Sequence, residues 1–351
     1  MITDLHLQHF RSYSDAAFEF DPGVNIIVGP NASGKTNLLE ALLFIAIGKP
    51  YRGSTSESIQ FTKPWSRLEA HTLKGERVVK LETIATGTRK QFQAGGQSYA
   101  RLFLNKTLPV VLFEPEHLQL LNGQPERRRA YLDDTLEQTI VGFGRLRRDY
   151  KRALSQRNRL LKLGPRTASQ LFAWNVRLSE LGSQIVKHRQ DLTNEINQSI
   201  ANLYRQLTAS RANVSIEYMP SCISANYGSD LLQKLEQHTD LDYARGFTAY
   251  GPHRDDLMIL LKGHNAHMAA SRGETRSLLL ALKILEVKRL EALRGQKPVL
   301  LLDDVFSELD GSRRKALTAF LRDYQTFITT TDADIVTHHF SEGTNIIPLN
   351  K

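Results

Sequence analysis

The chain has 351 residues, 41% hydrophobic and 24% charged, which is the composition of a globular protein with room for two or so domains. Without an apolar run of about 18 residues nothing is expected to span a membrane, and Met1-Ile2-Thr3-Asp4 lacks the basic and apolar segments of a secretory signal. A single cysteine, Cys222, excludes an internal disulfide and a cysteine zinc site and points to a reducing cytoplasm, while the net charge of +9 favours a polyanionic partner.

In chain order, Ile2–Phe10 alternates as a strand does, and Phe18–Phe20 follows suit. Val24–Val28 reads as a buried strand, and Leu38, Leu39, Ala41, Leu42, Phe44 and Ile45 recur at helical spacing. Between them lies Gly29-Pro30-Asn31-Ala32-Ser33-Gly34-Lys35-Thr36, which fits G-x-x-x-x-G-K-[ST] in the strand–loop–helix context that motif needs. Its glycines let backbone N–H groups turn around phosphate oxygens, and the helix N-terminus adds its positive end. Lys35 would reach the β- and γ-phosphates of ATP, and Thr36 would help hold Mg²⁺.

Further strands are expected at Val78–Ile84, Gln91–Phe92 and Val110–Phe113. From Glu126 to about Ser210 strand signals vanish, and Gly164-Pro165 divides two long helices, 126–162 and 168–208, with Thr167 available as a cap. These form an antiparallel hairpin. Between 145 and 166 it carries Arg145, Arg147, Arg148, Lys151, Arg152, Arg157, Arg159, Lys162 and Arg166 against Asp149 alone, nine minus one, or +8. Such a run is either a solvated helix face or a nucleic-acid backbone contact. Val214–Tyr218 could add a short strand and Leu231–Glu236 a short helix, and α/β character returns from about 247.

Ser271-Arg272-Gly273-Glu274 precedes an apolar helix and has the form of a capping box. The Ser271 hydroxyl and the Gly273 N–H could also face a γ-phosphate, and the two readings are compatible. Pro298–Asp304 is a wholly apolar strand ending in two carboxylates. At a strand's carboxyl end Asp303 would bind Mg²⁺ through water and Asp304 would orient or deprotonate an attacking water, the alternative being a solvated turn. The expected organisation is an α/β ATPase head of residues 1–120 and 247–351, with a P-loop and mixed sheet, split by a basic helical arm of residues 121–246.

Together these motifs resemble the ABC/SMC class of ATPase heads, with Ser307-Glu308-Leu309-Asp310 as the D-loop. Finer features are similar to the RecF family of DNA recombinational repair proteins. They are Leu5-x-Leu7-x-x-Phe10-Arg11-x-Tyr13, Phe113-Glu114-Pro115-Glu116-His117-Leu118, Gly123-x-Pro125 with Arg127-Arg128-Arg129 and Leu132-Asp133, Gly251-Pro252-His253-Arg254-Asp255-Asp256-Leu257, and Asp303 to Asp310. The resemblance implies a homodimer in which two ATP molecules lie between each phosphate loop and the other copy's Ser271–Gly273 edge, with Asp310 nearby. Arg11 would lie near the phosphates, or be a surface arginine beside Tyr13. Glu114 and Glu116 would form a lobe-linking loop, or a plain turn at Pro115. His253 and Arg254 read as structural support.

The resemblance further implies binding to single-stranded and gapped DNA and to junctions, work with RecO- and RecR-like mediators in loading a recombinase, and roles at stalled forks and in the SOS response. Three positions depart from the ATPase pattern: Thr275 where glutamine is usual, Asp304 where glutamate is usual, and Thr329–Asp332 without a switch histidine. Slow hydrolysis is the expectation, with a non-hydrolysing ATP-bound DNA scaffold or another SMC-like head as alternatives.

Overall fold

Val24, Asn25, Ile26 and Ile27 are buried without alternation, the pattern of a strand covered on both faces. The computed structural model, which describes residues 1–50, 52–164, 168–208, 210–222, 226–332, 334–338, 340 and 344–349, sets Val24–Val28 second in a five-stranded parallel sheet. Its order is Thr344–Pro348, Val24–Val28, Thr326–Thr330, Val299–Asp303 and Val110–Phe113. Every residue of Val299–Asp303 and Thr326–Thr330 is buried. A six-stranded antiparallel sheet runs Tyr13–Glu19, Ile2–Phe10, Trp65–Thr72, Gly75–Ile84, Gly87–Ala94, Gln97–Tyr99. The helix Lys35–Ile47, buried on nearly every side, shares one apolar core with inward residues of both sheets, Leu7, Leu68, Leu81, Leu301 and Phe327 among them.

These sheets make one compact unit, Met1–His117 with Glu286–Lys351; Leu118–Leu285 makes the other. The second boundary therefore falls inside the helix Arg272–Arg294, well after the expected 246/247, and the first falls at His117 rather than 120. The reason is a strand partnership: Asp256–Leu261 pairs with Val214–Met219 and packs on the helix Pro125–Thr139, so residues from 247 to 285 belong with the helices. This second unit is thus not purely helical, since His264–Asn265 completes a three-stranded sheet.

The expected helix 126–162 is two, Pro125–Thr139 and Phe143–Leu163. Ile140 takes an extended conformation and Gly142 sits at φ 87°, a left-handed turn that glycine accepts at little cost. Ala168–Thr208 is one unbroken helix. Arg157 meets Asn175 and Phe143 meets His188, the symmetric pairing of an antiparallel hairpin. Arg166 and the Thr167 cap lie outside the described residues.

Candidate functional site

The phosphate loop is shaped by contacts that exclude side chains. A Cβ on Gly29 would stand 2.6 Å from the Leu349 carbonyl oxygen and 2.7 Å from Ser33 Oγ. Gly34 lies at φ 101°, where a Cβ would meet the Tyr13 hydroxyl at 2.9 Å. That hydroxyl donates to the Gly34 carbonyl at 3.0 Å, pinning the turn from which Lys35–Ile47 begins. Pro30, Asn31 and Ala32 are exposed at the crest, with Ala32 at φ 66°. Lys35 is folded inward: its ammonium donates to the carbonyls of Gly29 at 2.7 Å and Pro30 at 2.8 Å. Ser33 Oγ is buried with no hydrogen-bond partner among the described residues. A loop with an orphaned hydroxyl and a lysine held only by its own carbonyls is built to receive acceptor oxygens.

The two carboxylates stand where the strand Val299–Asp303 ends. Thr36 Oγ1 donates to Asp303, lying 3.0 and 3.1 Å from its oxygens. Thr329, one strand across, donates to Asp303 Oδ1 at 2.8 Å and accepts from the Asp304 N–H at 2.9 Å. Hydroxyls on both sides thus orient Asp303, and a hydroxyl–carboxylate pair beside a phosphate loop suits Mg²⁺. Asp304 follows at φ 51°, and burial together with the neighbouring Asp303 raises its pKa. A left-handed non-glycine residue at this point is strain of the kind that marks functional turns. Asp310 caps the helix Gly311–Leu321, accepting from the Arg313 N–H at 3.0 Å and pairing with the Arg313 guanidinium.

Arg11 is no loose surface arginine. It forks onto Glu40 of the phosphate-loop helix at 2.8 and 2.7 Å and donates to the carbonyls of Glu57 and Arg52 at 2.7 and 2.8 Å. Glu40 is buried, so the pair braces the turn after the first strand against the helix that carries Lys35 and Thr36. Glu114 is nearly buried at the end of Val110–Phe113, with Arg52 at 3.4 Å and its own N–H donating to His117 Nδ1 at 3.1 Å. Tyr13, Glu40 and Thr329 are site residues that the sequence motifs do not single out, although Tyr13 lies within the motif that contains Arg11.

In the second unit the capping box forms as expected. Ser271 N–H donates to Glu274 at 2.9 Å, and Glu274 N–H donates to Ser271 Oγ at 3.2 Å. Ser271 is exposed and Gly273 half-buried, so the hydroxyl proton stays free to face a ligand. Thr275, at the position where the ATPase pattern has glutamine, is buried. His253 is structural: Nε2–H donates to the Thr248 carbonyl at 3.0 Å, so Nδ1 accepts from Tyr150 OH at 2.7 Å, and burial pushes its pKa down to about 4. Arg254 lies over the Phe247 ring at 4.9 Å.

The basic run needs two corrections. Arg157 is fully buried, bound to Asp242 at 2.7 Å, Thr248 at 2.8 Å and Asn175 at 2.7 Å, and cannot touch DNA. Arg147 is largely spent on Asp133, Asp134 and Glu137 at 3.2, 3.3 and 2.9 Å. Arg145, Arg148, Lys151, Arg152, Arg159 and Lys162 are exposed. At about 100° per residue these six fall within an arc of roughly 120°, with Arg157 on the opposite side. Only Asp149, 3.6 Å from Arg145, offsets that stripe from within the run.

Against known proteins, a family model for an AAA domain matches residues 4–237. The DNA replication and repair protein RecF of Heliobacterium modesticaldum is 35% identical over 342 residues, spanning 94% of this chain and 92% of that protein. Its counterpart in Streptococcus pyogenes serotype M49 is 34% identical over 359 residues, spanning 100% and 97%. The solved structure of the recombination mediator protein RecF-ATPrS in the RecFOR pathway superposes with a TM-score of 0.89 at 29% identity, covering 100% of this chain and 96% of that one. An SmcHead bound to the C-winged helix domain of ScpA matches at TM-score 0.51 and 15% identity, a likeness of fold alone. Among the described residues no helix is long and apolar enough to cross a membrane.

Proposed function

This chain belongs to the RecF family of DNA replication and repair proteins, and from that premise we propose that it is an ATP-dependent DNA-binding protein of recombinational repair whose nucleotide state governs pairing with a second copy. The observation that carries the nucleotide half is the couple of Thr36 with Asp303 beside a loop whose Ser33 hydroxyl lacks a partner among the described residues. The residues fit ATP with Mg²⁺: the loop from Asn31 to Gly34 presents N–H groups to phosphate oxygens, Lys35 exchanges loop carbonyls for them, and Thr36 and Asp303 hold the ion. When bound, Mg²⁺ neutralises charge on the phosphates. Asp304 orients water for attack, and its short side chain keeps turnover slow.

Ser271 and Gly273 of one copy close the phosphate loop of the other, with Asp310 near the seam, so that ATP joins two copies and hydrolysis separates them. The exposed stripe of the helix Phe143–Leu163 binds DNA backbones at single-stranded gaps and junctions. RecO- and RecR-like mediators act with it to load a recombinase at gaps and stalled forks, in support of the SOS response. Sedimentation with a non-cleavable ATP analogue tests the pairing: dimers are expected with the wild-type chain and monomers with Lys35→Ala. Dimers in both would remove the nucleotide from the interface. A second reading, a scaffold that binds ATP without hydrolysing it, is favoured by Asp304 in place of glutamate; phosphate release with gapped DNA present distinguishes the two.

A further inference from the structure

On the antiparallel sheet, the face turned away from Leu68 and Leu81 carries a groove of about 470 Å³ that plays no part in the nucleotide site. Cross-strand register sets its lining in rows: Trp65 faces Glu82, Arg67 faces Lys80, and Glu82 faces Arg89 on the next strand. Three cations thus share the groove with one carboxylate, Glu82, which lies 3.5 Å from Arg89. Arg67 also pairs with Glu69 at 2.5 Å, yet its Nε is buried without an acceptor among the described residues. Lys80 is exposed.

One aromatic side chain, Trp65, lines the groove. Trp65 is 39% exposed and stacks edge-on against His9 at 4.4 Å between centroids. Just before it, the Lys63 N–H returns to the Gln60 carbonyl at 3.0 Å in a tight turn that leaves Phe61 92% exposed. Thr62 in that turn lies at φ 71° and His9 at φ 51°. A β-branched residue rarely adopts a left-handed conformation, and such strain persists where it serves a function. An isolated exposed phenylalanine is ordinary. Phe61 is held out by a strained turn four residues before Trp65, and Trp65 itself lines the groove with Arg67, Lys80 and Arg89, a stacking surface with charge beside it.

We propose that this groove is a second nucleic-acid contact, taking a few nucleotides of single-stranded DNA with bases stacked on Trp65 and Phe61 and phosphates on Arg67, Lys80 and Arg89. Stacking tolerates any base, and cations on a sheet face follow a flexible backbone, which is how sequence-independent single-strand binders work. Arg67, Lys80 and Arg89 against Glu82 and Glu69 leave an excess of one cation, which sets the sign of the ligand. Choosing a DNA strand over an acidic peptide rests on the repair reading above; the groove itself does not depend on the basic helix.

The test uses the full chain with Trp174→Phe, which leaves Trp65 as its sole tryptophan. Titration with oligothymidylate is expected to quench Trp65 emission saturably. Quenching should weaken about tenfold with Lys80→Glu plus Arg89→Glu, or with Phe61→Ser, and persist with Arg148→Ala plus Arg152→Ala. Oligonucleotide binding seen by anisotropy with Trp65 emission unchanged would overturn the groove and leave the basic helix as the DNA site. Loss of both signals would overturn the DNA reading itself. Quenching by polyglutamate and not by the oligonucleotide would make the occupant an acidic peptide and overturn the proposal.

Discussion

Around Arg157, Arg189 and Asp255 of the second unit buried charge is closed on itself. Arg157 finds Asp242, Thr248 and Asn175, and Arg189 forks onto Asp133 at 2.8 and 2.9 Å while donating to the Pro252 carbonyl at 2.7 Å. Asp255 accepts from Tyr218 and the Ser221 N–H at 2.5 and 2.7 Å. Around the phosphate loop of the first unit the polar groups are not closed: among the described residues Ser33 Oγ has no partner, and Lys35 rests on carbonyls that another cation or water could serve. A satisfied network fixes a fold, whereas a network with groups in reserve receives a ligand. Density of charge does not separate the two; the remaining hydrogen-bonding capacity does.

The largest effect expected from this contrast is on stability. Arg157→Ala leaves Asp242 buried and unpaired, which costs about 3–5 kcal/mol, read as a lowered urea midpoint. Arg159→Ala, two residues on and exposed, should change it by less than about 0.5 kcal/mol. Equal effects would mean that the buried network does not hold the fold.

A pH titration probes the same network. His253 has its folded pKa pushed down to about 4 by burial, below an unfolded value of about 6.5. The unfolded chain therefore binds more protons across that window, so stability present at neutral pH is lost as pH falls through it, by about 3 kcal/mol at most. Asp255 opposes this, since burial raises its pKa and protonation then favours the folded state. The difference between wild type and His253→Gln isolates the histidine: the variant's stability should fall less between pH 6.5 and 4. Parallel profiles would remove His253 from the acid response.

At the open site the pattern reverses. Lys35→Ala releases two carbonyls of an exposed loop, so stability should move by less than about 1 kcal/mol. ATP affinity, measured by calorimetry, should fall about 100-fold, or about 2.7 kcal/mol. A variant that unfolds while retaining ATP would put Lys35 with the structural charges of the other unit.

How far this division could be read from the sequence depends on the reach of each contact. Val24–Val28, the loop at 29–36 and the strand ending at Asp303 were legible because strand, turn and helix signals are local, and all three stand as expected. Trp65–Thr72 went unseen because its inward row is Ser66, Leu68 and Ala70, with a single large apolar side chain. The halt at Gly142 leaves no mark in an otherwise helical composition. Arg11 and Glu40 stand 29 positions apart and Arg157 and Asp242 stand 85 apart, so neither pairing leaves a local trace. A run of cations shows that charge exists; only the fold shows which members are already neutralised.

The finest form of the comparison lies between two adjacent residues. Arg147 is engaged by Asp133, Asp134 and Glu137, whereas its neighbour Arg148 is exposed on the stripe with Arg145, Arg152 and Arg159. If the stripe contacts phosphates, each neutralised contact contributes about 0.7 to the salt slope on single strands and about 0.9 on duplex. Arg148→Ala should thus flatten the log–log dependence of DNA affinity on salt by nearly one unit, with stability unchanged within about 0.5 kcal/mol. Arg147→Ala should do the opposite, keeping the slope while lowering the urea midpoint, because Asp133 loses one of its two arginines. A slope that falls equally in both would mean that Arg147 leaves its carboxylates to meet DNA, and internal pairing would then cease to be a criterion for excluding a cation from the interface.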